Sequence, residues 1–462
     1  MLDEDVAGSY HAVLGPQYEE GKREVVTAAE CARKGIRVVV EAPKTHGGAE
    51  FRMTVSNGSD RELSEVVFPD LRLDAKGVGS GFTTPVGPGW WQPFECLSEG
   101  EHINWNYPVH GSMQWVDYCD ECSGVYVGVH DPTPYIKLFT IGKRDRRPWV
   151  RVRFTDIHLM PVNTEMEWNT TGAAATESYG SEKCVVDFAV MCPGCREWRE
   201  MFIRRLEHVA RAYRVDGSFV DQVCGCWSYP CYSNEHDHSR PNESWSGYLT
   251  LLKELRTRLR AINPEFSMST EGVCDILGQY FDIQQGHNDW DTQVGAKSIP
   301  MPELYGYTFP WYTVNTGYAS HNNYYFLKLA HAVGSGLDVC AIEPEKLEER
   351  FLRYLKLIMA WRKRYVEVLR RGEFVGALES DNPHYLAHAF EKDGRLVVTA
   401  AWVPYKCDPD RPETVTLNLG SRAVKSAKLL TEDGEREVSV GVDGRDSIVH
   451  VPLSEIAVLE VA

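Results

Sequence analysis

The chain has 462 residues, 43% hydrophobic and 25% charged, which gives length for roughly two to four domains and excludes wholesale disorder. Lysine and arginine total 49 against 66 acidic residues, a net charge of −17, so the basic footprint that a nucleic-acid or anionic-membrane binder needs is lacking. No run of about 18 apolar residues is present, which argues against a membrane-spanning helix. The start Met1-Leu2-Asp3-Glu4-Asp5 is acidic and without the apolar stretch of a secretory signal. With 13 cysteines in so long a chain, staples are not needed, and mostly free thiols in a reducing, cytoplasmic setting are expected.

Residues 1–160 read as all-β. Gly35–Glu41 is a β-branched run, Phe51–Val55 alternates, and Ser56-Asn57-Gly58-Ser59 supplies a turn. Gly124–His130 and Trp149–Phe154 continue the period of two, the pattern of a β-sandwich. The aromatic, Gly- and Pro-rich stretch 79–108 reads as irregular.

Residues 161–372 change period. Val185–Val190 is a candidate strand, and Trp198, Met201, Phe202, Leu206, Val209, Ala210 and Tyr213 recur at helical spacing. A short strand over Val215–Asp221 follows, then a polar loop. A helix comes next, with Trp245, Tyr248, Leu252, Leu255 and Leu259 on one face, ended by Asn263-Pro264. Strands over Phe266–Glu271 and Tyr280–Gln284 come next, and a long helix spans roughly 344–371, expected to pack on a barrel. Strand–helix–strand order means βαβ units. The region has room for about 200 residues against about 250 in a typical eight-unit barrel. Residues 373–462 return to strand patterns. The expected fold is multidomain: a central (β/α)8-type barrel, shortened or incomplete, between an N-terminal and a C-terminal β-sandwich.

Two carboxylates stand out. Asp221 and Glu271 each end a short βα-type strand, where barrel active sites lie. Two such acids can flank one glycosidic bond, one attacking and one protonating the leaving oxygen. Their ordinary roles would be a loop cap and a surface acid. Asp216 belongs at the start of the same strand, where a structural bond suits it better. Asp282 is a candidate for holding sugar hydroxyls from inside the following strand. The loop after Asp221 mixes rings and donors, and Trp227, Tyr232, His236 and His238 are its candidate sugar-binding residues.

That loop also carries Cys224, Cys226 and Cys231. The spacing C-x-C-x4-C-x4-H-x-H fits no structural zinc template, and free thiols lining a pocket are the better expectation. Cys192-Pro193-Gly194-Cys195 is formally a redox C-x-x-C, but the flanking βα units supply no thioredoxin-like fold. Pairing it with Cys119 and Cys122 in a four-thiolate zinc site would require the two regions to meet. No phosphate loop, nucleophile elbow or H-E-x-x-H occurs. No metal or cofactor is expected.

The run Val215–Gln222, with Pro230-Cys231-Tyr232, His236-Asp237-His238, Trp245 and Ser269-Thr270-Glu271-Gly272, resembles the DUF6259 group of glycoside-hydrolase-like proteins. Met113-Gln114-Trp115, Gly124-Val125-Tyr126 and His130-Asp131 resemble its front sandwich. The group is distantly related to endo-α-N-acetylgalactosaminidases and α-galactosidases. The resemblance implies Asp221 as nucleophile and Glu271 as acid/base of a retaining glycoside hydrolase acting on an O-glycosidic, α-linked bond. Residues 155–183 are short for the first barrel strands of that architecture. The competing expectation is a non-catalytic carbohydrate-binding or assembly protein on a degenerate barrel. Either way the expected partner is a carbohydrate, with no nucleic acid and no membrane.

Overall fold

The structure, a computed structural model, describes residues 9–15, 20–42, 44–45, 48–73, 80–87, 89–108, 110–120, 123–155, 176–181, 184–224, 229–233, 235–286, 299–310, 313–315, 322–337, 344–404, 410–422, 424 and 426–461. The architecture is mixed α/β, with parallel strands of a partial barrel flanked by antiparallel sheets that resemble β-sandwiches. The chain forms two compact units. One comprises Met1–Val86, Trp91–Asp282 and Gln293–Ser298; the other comprises Gly87–Trp90, Ile283–Thr292 and Ile299–Ala462.

In the first unit six antiparallel strands lie in the order His102–Tyr107, Lys137–Arg144, Arg147–Phe154, Leu63–Arg72, His11–Leu14 and Glu24–Thr27. Alternation fixes their inner face: Phe139 and Ile141 on one strand and Val150 and Val152 on the next are buried. Trp105 stacks on Phe139, ring centroids 5.5 Å apart. The Ile36–Glu41 and Arg52–Asn57 runs form an antiparallel pair. At the next turn the Asn57 side chain accepts from Ser59 N and donates to Arg61 O. The stretch 79–108, read as irregular, carries three strands: Gly81–Thr84, Trp90–Pro93 and His102–Tyr107. Each has six residues or fewer, too short for periodicity to stand out among the prolines and glycines.

The same unit holds a βαβ element. Strand Gly217–Val220 leads through the Gly247–Ile262 helix to strand Ser267–Glu271, and the two strands pair in parallel. The helix buries Leu251, Leu252, Leu255 and Leu259. It packs beside helix Arg196–Tyr213, where the Arg258 guanidinium bridges Glu200 at 3.0 Å and Glu207 at 2.5 Å. The inner stripe of that preceding helix centres on Ile203 and Ala210, while Met201 and Tyr213 are exposed. The expected stripe is thus rotated. Strand Cys184–Ala189 opens no βα unit; it forms an antiparallel hairpin with Thr176–Ser181.

In the second unit Ile283–Gln285 pairs in parallel with Thr313–Asn315, and a parallel bridge joins Asn315 to Gly336. Eight antiparallel strands follow. On Arg395–Trp402 the even positions Leu396, Val398, Ala400 and Trp402 enter one core with Val415, Leu417, Val449 and Val451. The odd positions Val397 and Ala401 enter another, under Leu327, Phe351, Ile358 and Tyr365. The long helix is split at Tyr365 into Glu349–Arg364 and Val366–Arg371. Its apolar stripe packs on this terminal sheet rather than on barrel strands.

Candidate functional site

The parallel register pairs Gly217 with Ser267, Ser218 with Met268, Phe219 with Ser269 and Val220 with Thr270. Asp221 directly follows the first strand and Glu271 is the last residue of the second, on strands that run about 4.8 Å apart. Side chains at equal register in parallel strands share a face. Val220, Met268 and Thr270 are buried on one face, whereas Phe219, Asp221, Ser269 and Glu271 occupy the accessible one. Both acids are followed by a residue in the left-handed region, Gln222 at φ 62 and Gly272 at φ 83. The chain therefore turns sharply at the same level after each acid. Cys224 N donates to Glu271 O at 3.2 Å, tying the first turn to the second strand end.

The turn after Glu271 is anchored from below. Tyr107 Oη donates to Asp275 Oδ1 at 2.5 Å, and Asp275 N donates to Ser112 O at 3.0 Å. Burial raises the Asp275 carboxyl above its ordinary value despite the Tyr107 bond. Nearby, Lys137 is fully buried; it donates to Thr133 O and Tyr135 O and pairs with Asp131 at 2.9 Å.

Asp216 sits at the start of its strand, as expected: Ser267 N donates to its carbonyl and Asn263 Nδ2 to its carboxylate. Asp282, the candidate for holding sugar hydroxyls, has its carboxylate engaged by protein groups. Its Oδ1 accepts from Arg256 at 2.8 Å and Arg260 at 2.9 Å, and its Oδ2 accepts from Met268 N at 2.9 Å. It precedes the Ile283–Gln285 strand and lies level with Met268, near the strand end opposite to Glu271. Its carboxylate is an ion-pair node on the Gly247–Ile262 helix, away from the two candidate acids.

Of the loop candidates, Trp227 lies outside the described residues. Tyr232 is half-buried. His236 and His238 gather with Cys231 and with Cys192, from the turn before helix Arg196–Tyr213, their donor atoms all within 4.8 Å of one another. Cys231 Sγ and His236 Nδ1 are 3.2 Å apart. The hydrogen bond between the two thiols drives Cys231 well below the ordinary thiol range and pushes Cys192 up. Cys192 and Cys231 are free thiols, as expected of the loop's cysteines, and they gather with two histidines that the sequence offered as sugar-binding rings. Cys224 is buried beside Glu271 O instead, and Cys195 Sγ turns to Glu197. The sequence signal for the grouping was the H-x-H pair after Cys231; the fourth member, 39 residues upstream, has no local signature.

Residues 164–321 match the profile of a family described as a domain of unknown function, DUF6259. A protein of Bacteroides thetaiotaomicron named putative glycoside hydrolase is 24% identical over 246 residues, covering 50% of this chain and 35% of that protein. The chain thus spans about a third of that relative's length. Among solved structures, α-N-acetylgalactosaminidase NagBb from Bifidobacterium bifidum, in complex with GalNAc, superposes with a TM-score of 0.56. Its identity is 10%, over 84% of this chain and 92% of that one. A noncanonic maltogenic α-amylase AmyB from Thermotoga neapolitana gives a TM-score of only 0.40 at 14% identity, over 64% and 71% of the two chains, too loose to argue from. Together these relate the chain distantly to glycoside-hydrolase-like proteins, and its fold is of that kind.

Proposed function

We propose that the protein is a retaining glycoside hydrolase in which Asp221 attacks the anomeric carbon and Glu271 serves as acid, then base. The observation that supports this is the parallel pairing of Val220 with Thr270, which leaves Asp221 and Glu271 as the next residues along two adjacent strands, the first exposed and the second half-buried. Adjacent strands at about 4.8 Å favour a carboxyl separation of about 5–5.5 Å, the retaining spacing, over the about 6.5–9.5 Å that leaves room for an inverting water. In the first step Asp221 forms the glycosyl ester while Glu271 gives its proton to the leaving oxygen. In the second, Glu271 takes a proton from water, which attacks the same carbon and releases Asp221. In this reading residues 1–160 and 373–462 are flanking β-modules of a catalytic region over 161–372. Tyr232 and Trp227, on the loop after Asp221, are its sugar-contacting aromatics. The fold likeness to the Bifidobacterium enzyme makes α-N-acetylgalactosaminides the first substrates to try.

The test follows the anomeric configuration of the first product by NMR. Retention with loss of turnover in Asp221→Asn is expected. Glu271→Gln should harm substrates with poor leaving groups far more than activated aryl glycosides in the first step, and azide should restore turnover. First-formed product of inverted configuration refutes the mechanism, and wild-type turnover in both variants refutes the residues. A second reading, a carbohydrate-binding protein without catalysis, draws on the openness of the acid-bearing face, where Phe219 is 50% exposed. Sugar binding with no turnover of any aryl glycoside would favour it.

A further inference from the structure

The geometry points to a structural zinc site formed by Cys192, Cys231, His236 and His238, which pins the loop after Asp221 to the N-terminal end of helix Arg196–Tyr213. This inference does not depend on the glycosidase reading.

Two sulfurs and two imidazole nitrogens are the donor set that selects zinc, which is content with a tetrahedron of thiolates and neutral histidines. Zinc bonds of about 2.3 Å to sulfur and about 2.0–2.1 Å to nitrogen make tetrahedral edges of about 3.3–3.8 Å. The four donor atoms lie within 4.8 Å of one another, and the Cys231 Sγ to His236 Nδ1 edge is 3.2 Å. Contraction by about 1.0–1.5 Å at most, on the longest edges, would close the shell. Two thiolates neutralise the dication, so the filled site would carry no net charge into a half-buried place.

Independent features point to a ligand there. Both ring nitrogens of His238 are shielded from solvent, and among the described residues the Cys231 sulfur is the one polar group shown to act on them. Such a polar ring costs free energy unless something else satisfies it. Gly194 makes room for that ring: a Cβ at Gly194 would lie 2.6 Å from His238 Cδ2 and 3.2 Å from Cys192 Sγ. Gly194 N donates to Cys192 Sγ at 3.3 Å, the kind of backbone donor that supports a thiolate.

The surroundings hold the donors in position. Arg199 donates to Pro193 O at 2.9 Å and Gly194 O at 2.8 Å, and it pairs with Asp237 at 3.3 Å. Asp237 N donates to Gly194 O, and His238 N to His236 O at 2.8 Å. That tight turn sends Asp237 outward and brings the two rings within 5.7 Å, centroid to centroid. All four coordination positions come from protein, the closed arrangement of structural zinc rather than the open one of catalytic zinc.

The test uses the full chain, expressed without a histidine tag in zinc-supplemented medium. Elemental analysis after gel filtration should give one zinc per chain, falling to near none in Cys192→Ser and in Cys231→Ser. Cys195→Ser and Asp221→Asn should keep it. If the ligand variants fail to fold, the wild type still decides. Cobalt exchanged into it should give the intense visible bands of a tetrahedral site with sulfur-to-cobalt charge transfer. Cys192 and Cys231 should resist alkylation until a chelator is added, whereas Cys195 reacts in both states. Three results would each overturn the proposal: a weak octahedral cobalt spectrum, zinc retained in both ligand variants, or a Cys192–Cys231 disulfide in protein purified without oxygen.

Discussion

His331 should make the second unit acid-sensitive. The side chain is 1% exposed, and its Nε2–H donates to Ala457 O at 2.8 Å. Nδ1 is buried without a hydrogen-bond partner, so a proton added there would create a cation facing the Arg362 guanidinium, beside the Trp361 ring. Burial, more than the Arg362 charge, lowers His331 from 6.5 to about 3. Above pH 6.5 the imidazole is neutral in both states and costs nothing. As pH falls, the unfolded chain takes up a proton that the folded chain refuses. Stability is therefore lost progressively from about pH 6.5 down towards pH 3. At pH 5 the gap of 1.5 units corresponds to about 2 kcal/mol. His331→Gln places an amide N–H where Nε2–H stood and removes the titration. Urea unfolding should be read by pulsed hydrogen exchange on peptides covering Arg395–Trp402 and Ile456–Val461, because two units need not unfold together. The wild type should lose about 2 kcal/mol more than His331→Gln between pH 8 and pH 5. Equal pH dependence in the two proteins would refute the argument.

Two further substitutions test buried and half-buried charge. Lys137→Met keeps the stem volume but strands Asp131 and the carbonyls of Thr133 and Tyr135. It should cost about 3 kcal/mol in urea unfolding, and Lys137→Met with Asp131→Asn should cost less than the sum of the single changes. Asp282→Asn keeps an acceptor for Met268 N but loses two arginine pairs whose members are 23–40% exposed. A loss of about 1 kcal/mol is expected, with kcat/KM on any turned-over glycoside unchanged. A fall in kcat/KM without loss of stability would return Asp282 to the sugar site.

What the sequence disclosed, and what it hid, follows from how local each signal is. The parallel Gly217–Val220 and Ser267–Glu271 strands, and the acids at their ends, were legible because a βαβ unit announces itself through one loop, one amphipathic helix and a proline stop. The terminal sheet was legible from strand-forming runs such as Arg395–Trp402, apolar at every position but Arg395 and Thr399. A run of that kind is covered on both faces, and what covers the second face is the long helix. Phe351, Ile358 and Tyr365 announce a buried stripe but not what buries it, and Val397 and Ala401 on the reverse of the terminal sheet supplied the surface. At Asp282 the strand boundary differs by a few residues from the sequence pattern. A strand begun at Tyr280 would carry the acid in its interior, whereas one begun at Ile283 leaves it at the edge, within reach of Arg256 and Arg260 one helix away. The cysteine–histidine cluster needed the most tertiary knowledge. Three of its members fall within eight residues of one loop, but the fourth is chosen by close approach: Cys192 joins because Gly194 lacks the Cβ that would exclude the His238 ring. Cys224 and Cys226 are nearer in sequence, yet Cys224 is drawn the other way by its backbone bond to Glu271 O. Spacing templates assume that ligands close in sequence close in space. Here the two turns flanking the strand and helix decide it, and the same pinning would hold the loop that follows Asp221.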